Sequence, residues 1–123
     1  RGEGCSYYFA EPADYIEIKN SKKLSAIFEK LNIPYVLGKI WTTDSMIRET
    51  VGLVEKRREE GCIAVEMELA GVQALCDFYG LELYDFLEAG DVLESSGYDI
   101  EGLHGANHNL GKLYIALETA LFL

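Results

Sequence analysis

The sequence predicts an α/β fold in which a mixed, largely parallel sheet is flanked by helices. Three observations predict it: short apolar runs recur along the chain, amphipathic segments with apolar residues at helical spacing lie between them, and glycine, proline or polar turns separate the two. Strands that alternate with helices form parallel sheets, because each helix carries the chain back to the same end of the sheet. The 123 residues suffice for one domain.

Four apolar runs predict the strands of the sheet. The first run alternates apolar and polar side chains, as half-buried strands do, and the last is interrupted by Asp85. The predicted strands are Tyr15–Ile18, Tyr35–Trp41, Cys62–Val65 and Leu83–Leu87. Residues 1–14, rich in glycine, glutamate and aromatic side chains, predict a loop or a short strand.

Apolar residues at helical spacing, with glycines after them, predict the helices. Asn20 or Ser21 can cap the first helix, and Gly61 and Gly80 end the second and third. The predicted helices are 20–31, 46 to about 60, 69–79 and 110–121, and residues 94–109 predict a long loop. The inner face of the second helix is predicted to carry Ile47, Val51 and Val54.

Composition and charge exclude several classes of partner. The net charge of -10 argues against a nucleic-acid-binding or anionic-membrane surface, because both need clustered Lys and Arg. The one basic run, Lys56–Arg58, is flanked by glutamates and predicts a solvated helix face. No apolar run is long enough for a membrane span. The chain has three cysteines, an odd number, and none of them form a CxxC pair. This pattern predicts reduced thiols and a cytoplasmic protein.

Polar turns follow the predicted strands, and the acids in them predict a site. These turns are Thr42–Arg48, Glu66–Glu68 and Gly90–Asp91. The carboxyl ends of parallel strands meet at one crevice, so the turns converge. Glu66 and Glu68, two residues apart, project to the same side of an extended segment. Together with Asp44, Arg48 and Asp91 they predict an acidic pocket for hydroxyl groups such as a ribose diol, although acids that cap helices explain the pattern equally well.

Three stretches carry a resemblance to a known family. Gly38–Trp41 followed by Thr42–Thr50, and Val65–Glu68 followed by a helix of small residues, resemble the nucleoside phosphorylases, a family of purine nucleoside and uridine phosphorylases and related nucleosidases. Arg1–Phe9 resembles the segment that opens the second half of these proteins. The resemblance implies a three-layer αβα architecture, incomplete here, with residues 1–123 as the C-terminal half of a single α/β domain. The start at Arg1 rather than Met likewise predicts part of a longer protein.

The family implies phosphorolysis, in which inorganic phosphate cleaves the N-glycosidic bond of a nucleoside to give ribose 1-phosphate and a free base. No cofactor is implied beyond phosphate as co-substrate. The resemblance assigns Glu68 and Met67 to the ribose, Met46, Val65, Glu66, Gly90 and Arg48 to the base, and Asp91 to the catalytic acid that protonates the leaving base. The spacing from Glu68 to Asp91 fits purine-acting members, so a purine-like base is slightly favoured over uridine.

The chain departs from the family pattern in ways that matter for function. No arginine follows Arg58, whereas purine-acting hexameric members have one shortly after the acid, and Gly90 replaces a small polar residue. The glycine-rich phosphate loops are absent and belong to the preceding half. His104 and His108 predict loop histidines without the Cys/His partners of a zinc site, so no metal is expected.

Several functional alternatives therefore stay open. A hydrolytic nucleosidase needs no phosphate cradle. A non-catalytic nucleoside-binding module would keep only the ribose pocket, and a plain α/β scaffold would use Glu66 and Glu68 as helix caps. The resemblance also implies a homo-oligomer, a hexamer or a dimer. The net charge of -10 predicts that it binds neither nucleic acid nor an anionic membrane. The aromatic Tyr7–Phe9 segment fits either a subunit interface or a core.

Overall fold

The computed structural model describes residues 1–90 and 110–123. The chain forms five α-helices, two strands and one 3₁₀ turn there. In chain order these are α1 (Cys5–Phe9), α2 (Ser21–Lys30), β1 (Lys39–Thr42), the 3₁₀ turn Met46–Arg48, α3 (Val51–Glu59), β2 (Cys62–Glu66), α4 (Leu69–Tyr79) and α5 (Gly111–Ala120). A helix between two strands confirms the predicted α/β class.

The described sheet consists of β1 and β2, which are parallel and joined by α3. Trp41 lies opposite Val65, and Thr42 lies opposite Glu66, so both strands end at the same edge. Gly2 forms an isolated parallel bridge with Thr43 beside this edge. The predicted convergence of the turns after these two strands is therefore confirmed.

The predicted strands Tyr15–Ile18 and Leu83–Leu87 are wrong, because both segments lack ladder hydrogen bonds in the described structure. Alternating side chains show which face of a segment is apolar, but a strand forms only where a neighbour pairs with its backbone. The Leu83 carbonyl instead accepts a hydrogen bond from the Asn20 side chain at 3.1 Å.

The N-terminal segment is a helix rather than the predicted loop or strand. Glu3 sets its start, since both carboxylate oxygens accept the Ser6 N–H, at 3.2 and 3.0 Å. Helix α1 packs against α4, where Gly71 allows a close approach. A Cβ atom on Gly71 would lie 3.2 Å from both the Cys5 side chain and the Glu3 carboxylate.

The predicted second helix is divided. Ser45 begins the 3₁₀ turn, and the Thr50 hydroxyl then caps α3 by accepting the Leu53 N–H at 3.4 Å. The division turns Ile47 and Val51 outward, 88% and 76% exposed, so their predicted place on an inner face is wrong. Gly61 and Gly80 have positive φ values, which confirms both predicted helix ends.

The buried apolar side chains of the described residues come from α2, β1 and α4. They are Leu24, Ile27, Phe28, Trp41, Leu69, Ala70 and Ala74. Helix α5 contacts α2, but its predicted apolar stripe lies exposed, for example at Leu113 and Leu117. Across residues 1–90 and 110–123, every helix falls short of the length and apolarity that a bilayer crossing requires.

Candidate functional site

The turn between β2 and α4 is built on the side chain of Glu66. Only Met67 and Glu68 separate the strand from the helix. Glu66 Oε2 accepts the backbone N–H groups of Glu68 and Leu69, each at 2.6 Å. The first N–H groups of a helix have no partner within the helix, and a carboxylate there also interacts favourably with the helix dipole. Glu66 therefore acts as the cap of α4.

Thr42 ties this cap to the neighbouring strand. Its hydroxyl donates a hydrogen bond to Glu66 Oε1 and accepts the Ala70 N–H at 3.2 Å. The Thr43 N–H donates to the Glu66 carbonyl at 2.9 Å, and Thr42 is only 4% exposed. We call the Thr42 hydroxyl, the Glu66 carboxylate and the N–H groups of residues 68–70 the helix-start clamp. The clamp joins the ends of both strands to the first turn of α4.

Unlike Glu66, Glu68 does not cap α4 with its side chain. It precedes the first residue of α4, yet its own side chain accepts no capping hydrogen bond, and the residue is exposed. Its backbone, with φ of -130° and ψ of -35°, turns from the end of β2 into α4. The scaffold alternative, in which both acids are caps, therefore holds for Glu66 alone.

A cleft of about 1280 Å³ opens beside this edge of the sheet. Its lining includes Thr42, Val65, Glu66 and Gly90, together with apolar side chains of α2 and β1. Three of the residues assigned to the base by resemblance thus share one cavity. Met67 and Glu68 follow the lining residue Glu66 directly in the chain.

The remaining predicted base-side residues lie on the 3₁₀ turn after β1. Met46 is about half exposed there. Arg48 forms an ion pair with Asp44, with 3.1 Å between Nε and Oδ1, and both side chains are exposed. Two members of the predicted acidic pocket are thus paired with each other. Asp91, His104 and His108 lie outside the described residues.

Asp85, the acid that interrupts the apolar run Leu83–Leu87, also belongs to the site. It is half-buried and lines the cleft. Burial raises the pKa of its carboxyl group, and the charges of Glu66 and Glu68 raise this pKa further. An acid inside the apolar run Leu83–Leu87 was the signal that could have revealed it. In the described part of the chain, no group of three or more His, Cys, Asp or Glu side chains is placed to hold a metal ion.

A second polar cluster lies on the same cleft, around Tyr15. Arg57 donates hydrogen bonds to the Tyr15 hydroxyl at 3.3 Å and to Glu60 Oε2 at 2.8 Å. Tyr15 donates to the same carboxylate, and these two bonds hold the pKa of Glu60 below its usual value. Arg57 is 13% exposed at its side chain. The prediction that Lys56–Arg58 forms a solvated face is therefore wrong at its central residue.

Comparison with known proteins identifies the family. Residues 3–89 match the family described as the phosphorylase superfamily. The chain belongs to this superfamily. The expected membership in a nucleoside phosphorylase family and the α/β class with helices beside a parallel sheet are both confirmed.

A curated relative supports the same assignment. This chain is 30% identical over 99 residues to a purine nucleoside phosphorylase of the DeoD type from Alkaliphilus metalliredigens (strain QYMF). The match covers 80% of this chain and 42% of that relative, so the chain spans less than half the relative's length. No solved structure matches the chain significantly.

Proposed function

We propose that this chain supplies the nucleoside-binding part of a nucleoside phosphorylase active site. The reaction is the attack of inorganic phosphate on the sugar C1′ atom, which breaks the N-glycosidic bond and releases ribose 1-phosphate and the base. Membership of the phosphorylase superfamily supports the reaction class. The observation that carries the proposal is the Glu68 carboxylate, which is exposed, makes no capping hydrogen bond and lies two residues after Glu66, a residue that lines the cleft.

Glu68 is proposed to accept hydrogen bonds from the two ribose hydroxyls. An ionised carboxylate has acceptor sites for both members of a diol, and hydrogen bonds to a charged acceptor are the stronger kind. Positive charge develops on the sugar as the bond breaks, so a fixed carboxylate nearby stabilises the transition state more than the ground state. The Met67 side chain is proposed to pack against the sugar.

The base is proposed to lie along Val65, Glu66 and Gly90, with Met46 and Arg48 approaching from the 3₁₀ turn. Three of these residues line the cleft, which supports the placement. Asp91 is proposed as the acid that protonates the leaving base, a step typically worth about 10²–10⁴-fold in rate. This role favours a purine-like base, because a purine ring nitrogen can accept the proton.

The phosphate site is proposed to come from residues outside this sequence, with residues 1–123 as the C-terminal half of the α/β domain. Coverage of 42% of the curated relative supports this.

We also propose that the protein is a homo-oligomer, a hexamer or a dimer, and that it is cytoplasmic. Both proposals are supported by the exposed aromatic side chain of Tyr8 and by the three free cysteines. Light scattering on the purified full-length protein measures the oligomeric state.

Phosphate-dependent cleavage of inosine, adenosine and uridine by the full-length protein tests the proposed reaction. We expect ribose 1-phosphate as the product and a strongly reduced but still measurable turnover in Glu68→Gln. The exposed residue Glu55 on α3 offers a matched control, and Glu55→Gln should keep wild-type turnover. Asp91→Ala should lose purine turnover specifically. Free ribose as the product would indicate a nucleosidase, and nucleoside binding without cleavage would indicate a binding module.

A further inference from the structure

We propose that Thr42 is a positioning residue for the ribose-binding carboxylate of Glu68, acting through Glu66 and the first turn of α4. The inference rests on the proposed function. It concerns a residue on a different strand from the one that leads to Glu68, and nothing in the sequence pattern links the two.

The first step is that the clamp fixes the backbone on both sides of Glu68. The N–H of Glu68 belongs to the peptide unit before its Cα atom, and the N–H of Leu69 belongs to the peptide unit after it. Both donate to the same oxygen, Glu66 Oε2, at 2.6 Å. With both flanking peptide units held, the direction of the Glu68 Cα–Cβ bond is determined. The carboxylate of Glu68 can then vary only through its own side-chain rotamers.

The second step is that Thr42 holds the carboxylate that does the fixing. A hydroxyl group has one proton to donate, and in Thr42 this proton goes to Glu66 Oε1. The oxygen lone pairs accept the Ala70 N–H at 3.2 Å, so the same atom also contacts the helix. Thr42 is itself immobilised, because it is 4% exposed and lies in the paired part of β1, opposite Glu66.

The third step concerns the consequence for catalysis. Reacting and binding groups must be held to within about 0.5 Å of the productive geometry. A displacement of about 1 Å that originates away from the reacting atoms can cost about 10²-fold in rate. Without the Thr42 hydroxyl, Glu66 Oε1 has no fixed donor among the described residues, and the peptide units flanking Glu68 lose part of their restraint.

A double-mutant cycle with the full-length protein tests the inference. Thr42→Val removes the hydroxyl and keeps the side-chain shape, and it should lower kcat/KM for the nucleoside about 10- to 100-fold. Thr42→Ser restores the hydroxyl and should stay within about threefold of wild type. In the Glu68→Gln background, Thr42→Val should add less than about threefold, because the residue through which Thr42 acts has been removed. An equal loss in both backgrounds, or an equal loss in Thr42→Ser and Thr42→Val, would overturn the inference.

Thr119 provides a matched control for the loss of a buried hydroxyl. It is also 4% exposed, and its hydroxyl has no hydrogen-bond partner among the described residues. Thr119→Val should keep wild-type kcat/KM. If Thr42→Val does not fold, Thr42→Cys replaces it in the cycle, since a thiol donates only weakly and is well tolerated in a core. A Thr42→Cys variant as active as Thr42→Ser would then count against the inference.

Amide hydrogen exchange separates this inference from the proposed function. Absence of nucleoside turnover in the wild-type protein would defeat the proposed function alone. The positioning role is then tested by the hydrogen-exchange rates of the N–H groups of Glu68, Leu69 and Ala70. These rates should be at least about 10-fold higher in Thr42→Val than in Thr42→Ser. The N–H groups of α2 should exchange equally in both variants. Unchanged exchange at residues 68–70 would overturn the positioning role.

Discussion

Removal of the Glu66 carboxylate tests how the fold holds the start of α4. Glu66→Ala deletes the acceptor of three hydrogen bonds, from the Thr42 hydroxyl and the N–H groups of Glu68 and Leu69. The Glu68 N–H is at the exposed side of the turn and can bond to water. Thr42 and Leu69 are buried, so their two donors are left without partners.

The magnitude follows from those two buried donors. Each costs about 1–3 kcal/mol when its partner is removed, so Glu66→Ala should lower the free energy of unfolding by about 2–6 kcal/mol. Glu66→Gln keeps an oxygen for the two N–H groups and places an NH₂ group against the Thr42 hydroxyl. An amide NH₂ group only donates, so the Thr42 O–H loses its acceptor as well as the charge assistance, and Glu66→Gln should cost about 1–3 kcal/mol.

Urea unfolding of the full-length protein, followed by circular dichroism, measures both variants. The midpoint should shift with little change in the slope, as expected when native-state stability alone changes. Glu55→Ala, on the exposed face of α3, is the control and should stay within about 0.5 kcal/mol of wild type. A Glu66→Ala variant as stable as this control would refute the clamp as the support of α4.

Three further predictions concern other parts of the molecule. Asp85 has a folded-state pKa raised above the ordinary 3.8, so its contribution to stability falls as pH rises above that value. In urea titrations from acid to neutral pH, Asp85→Asn should therefore gain stability relative to wild type as pH rises. Gly2→Ala should destabilise by about 1–3 kcal/mol in urea, because its Cβ atom would lie 2.8 Å from the Thr42 carbonyl oxygen and 3.0 Å from Trp41 Nε1. Thr119→Val should raise the thermal midpoint, since it removes a buried hydroxyl that has no partner in the described structure, and an unchanged or lower midpoint would contradict this.

Local sequence signals located most of the described helices and both described strands. Capping residues and glycines mark helix ends through short-range backbone chemistry, which explains why the ends at Gly61 and Gly80 could be predicted. The strand before Glu66 and the helix after it were likewise predictable from the change of apolar period. Pairing partners are long-range, so alternation at Tyr15–Ile18 could not show whether the segment joins the sheet.

The sequence could not show that Glu66 caps α4 and that Glu68 does not. Their two-residue spacing places them on one side only while the chain stays extended, and β2 ends at Glu66. Which acid caps α4 depends on the Thr42 hydroxyl, which belongs to another strand. The register of the sheet places Thr42 opposite Glu66. The placement of Asp85 beside both acids is similarly a tertiary effect.

The recognition of paired sugar hydroxyls by Glu68 is the central claim, and nucleoside affinity tests it most directly. Isothermal titration of the full-length protein with inosine and with 2′,3′-dideoxyinosine, in wild type and in Glu68→Ala, isolates the contribution of the two hydroxyls. Wild type should bind inosine roughly 10- to 100-fold more tightly than the dideoxy analogue, and Glu68→Ala should lose most of that preference. Equal affinities in wild type, or a preference that survives in Glu68→Ala, would contradict the claim.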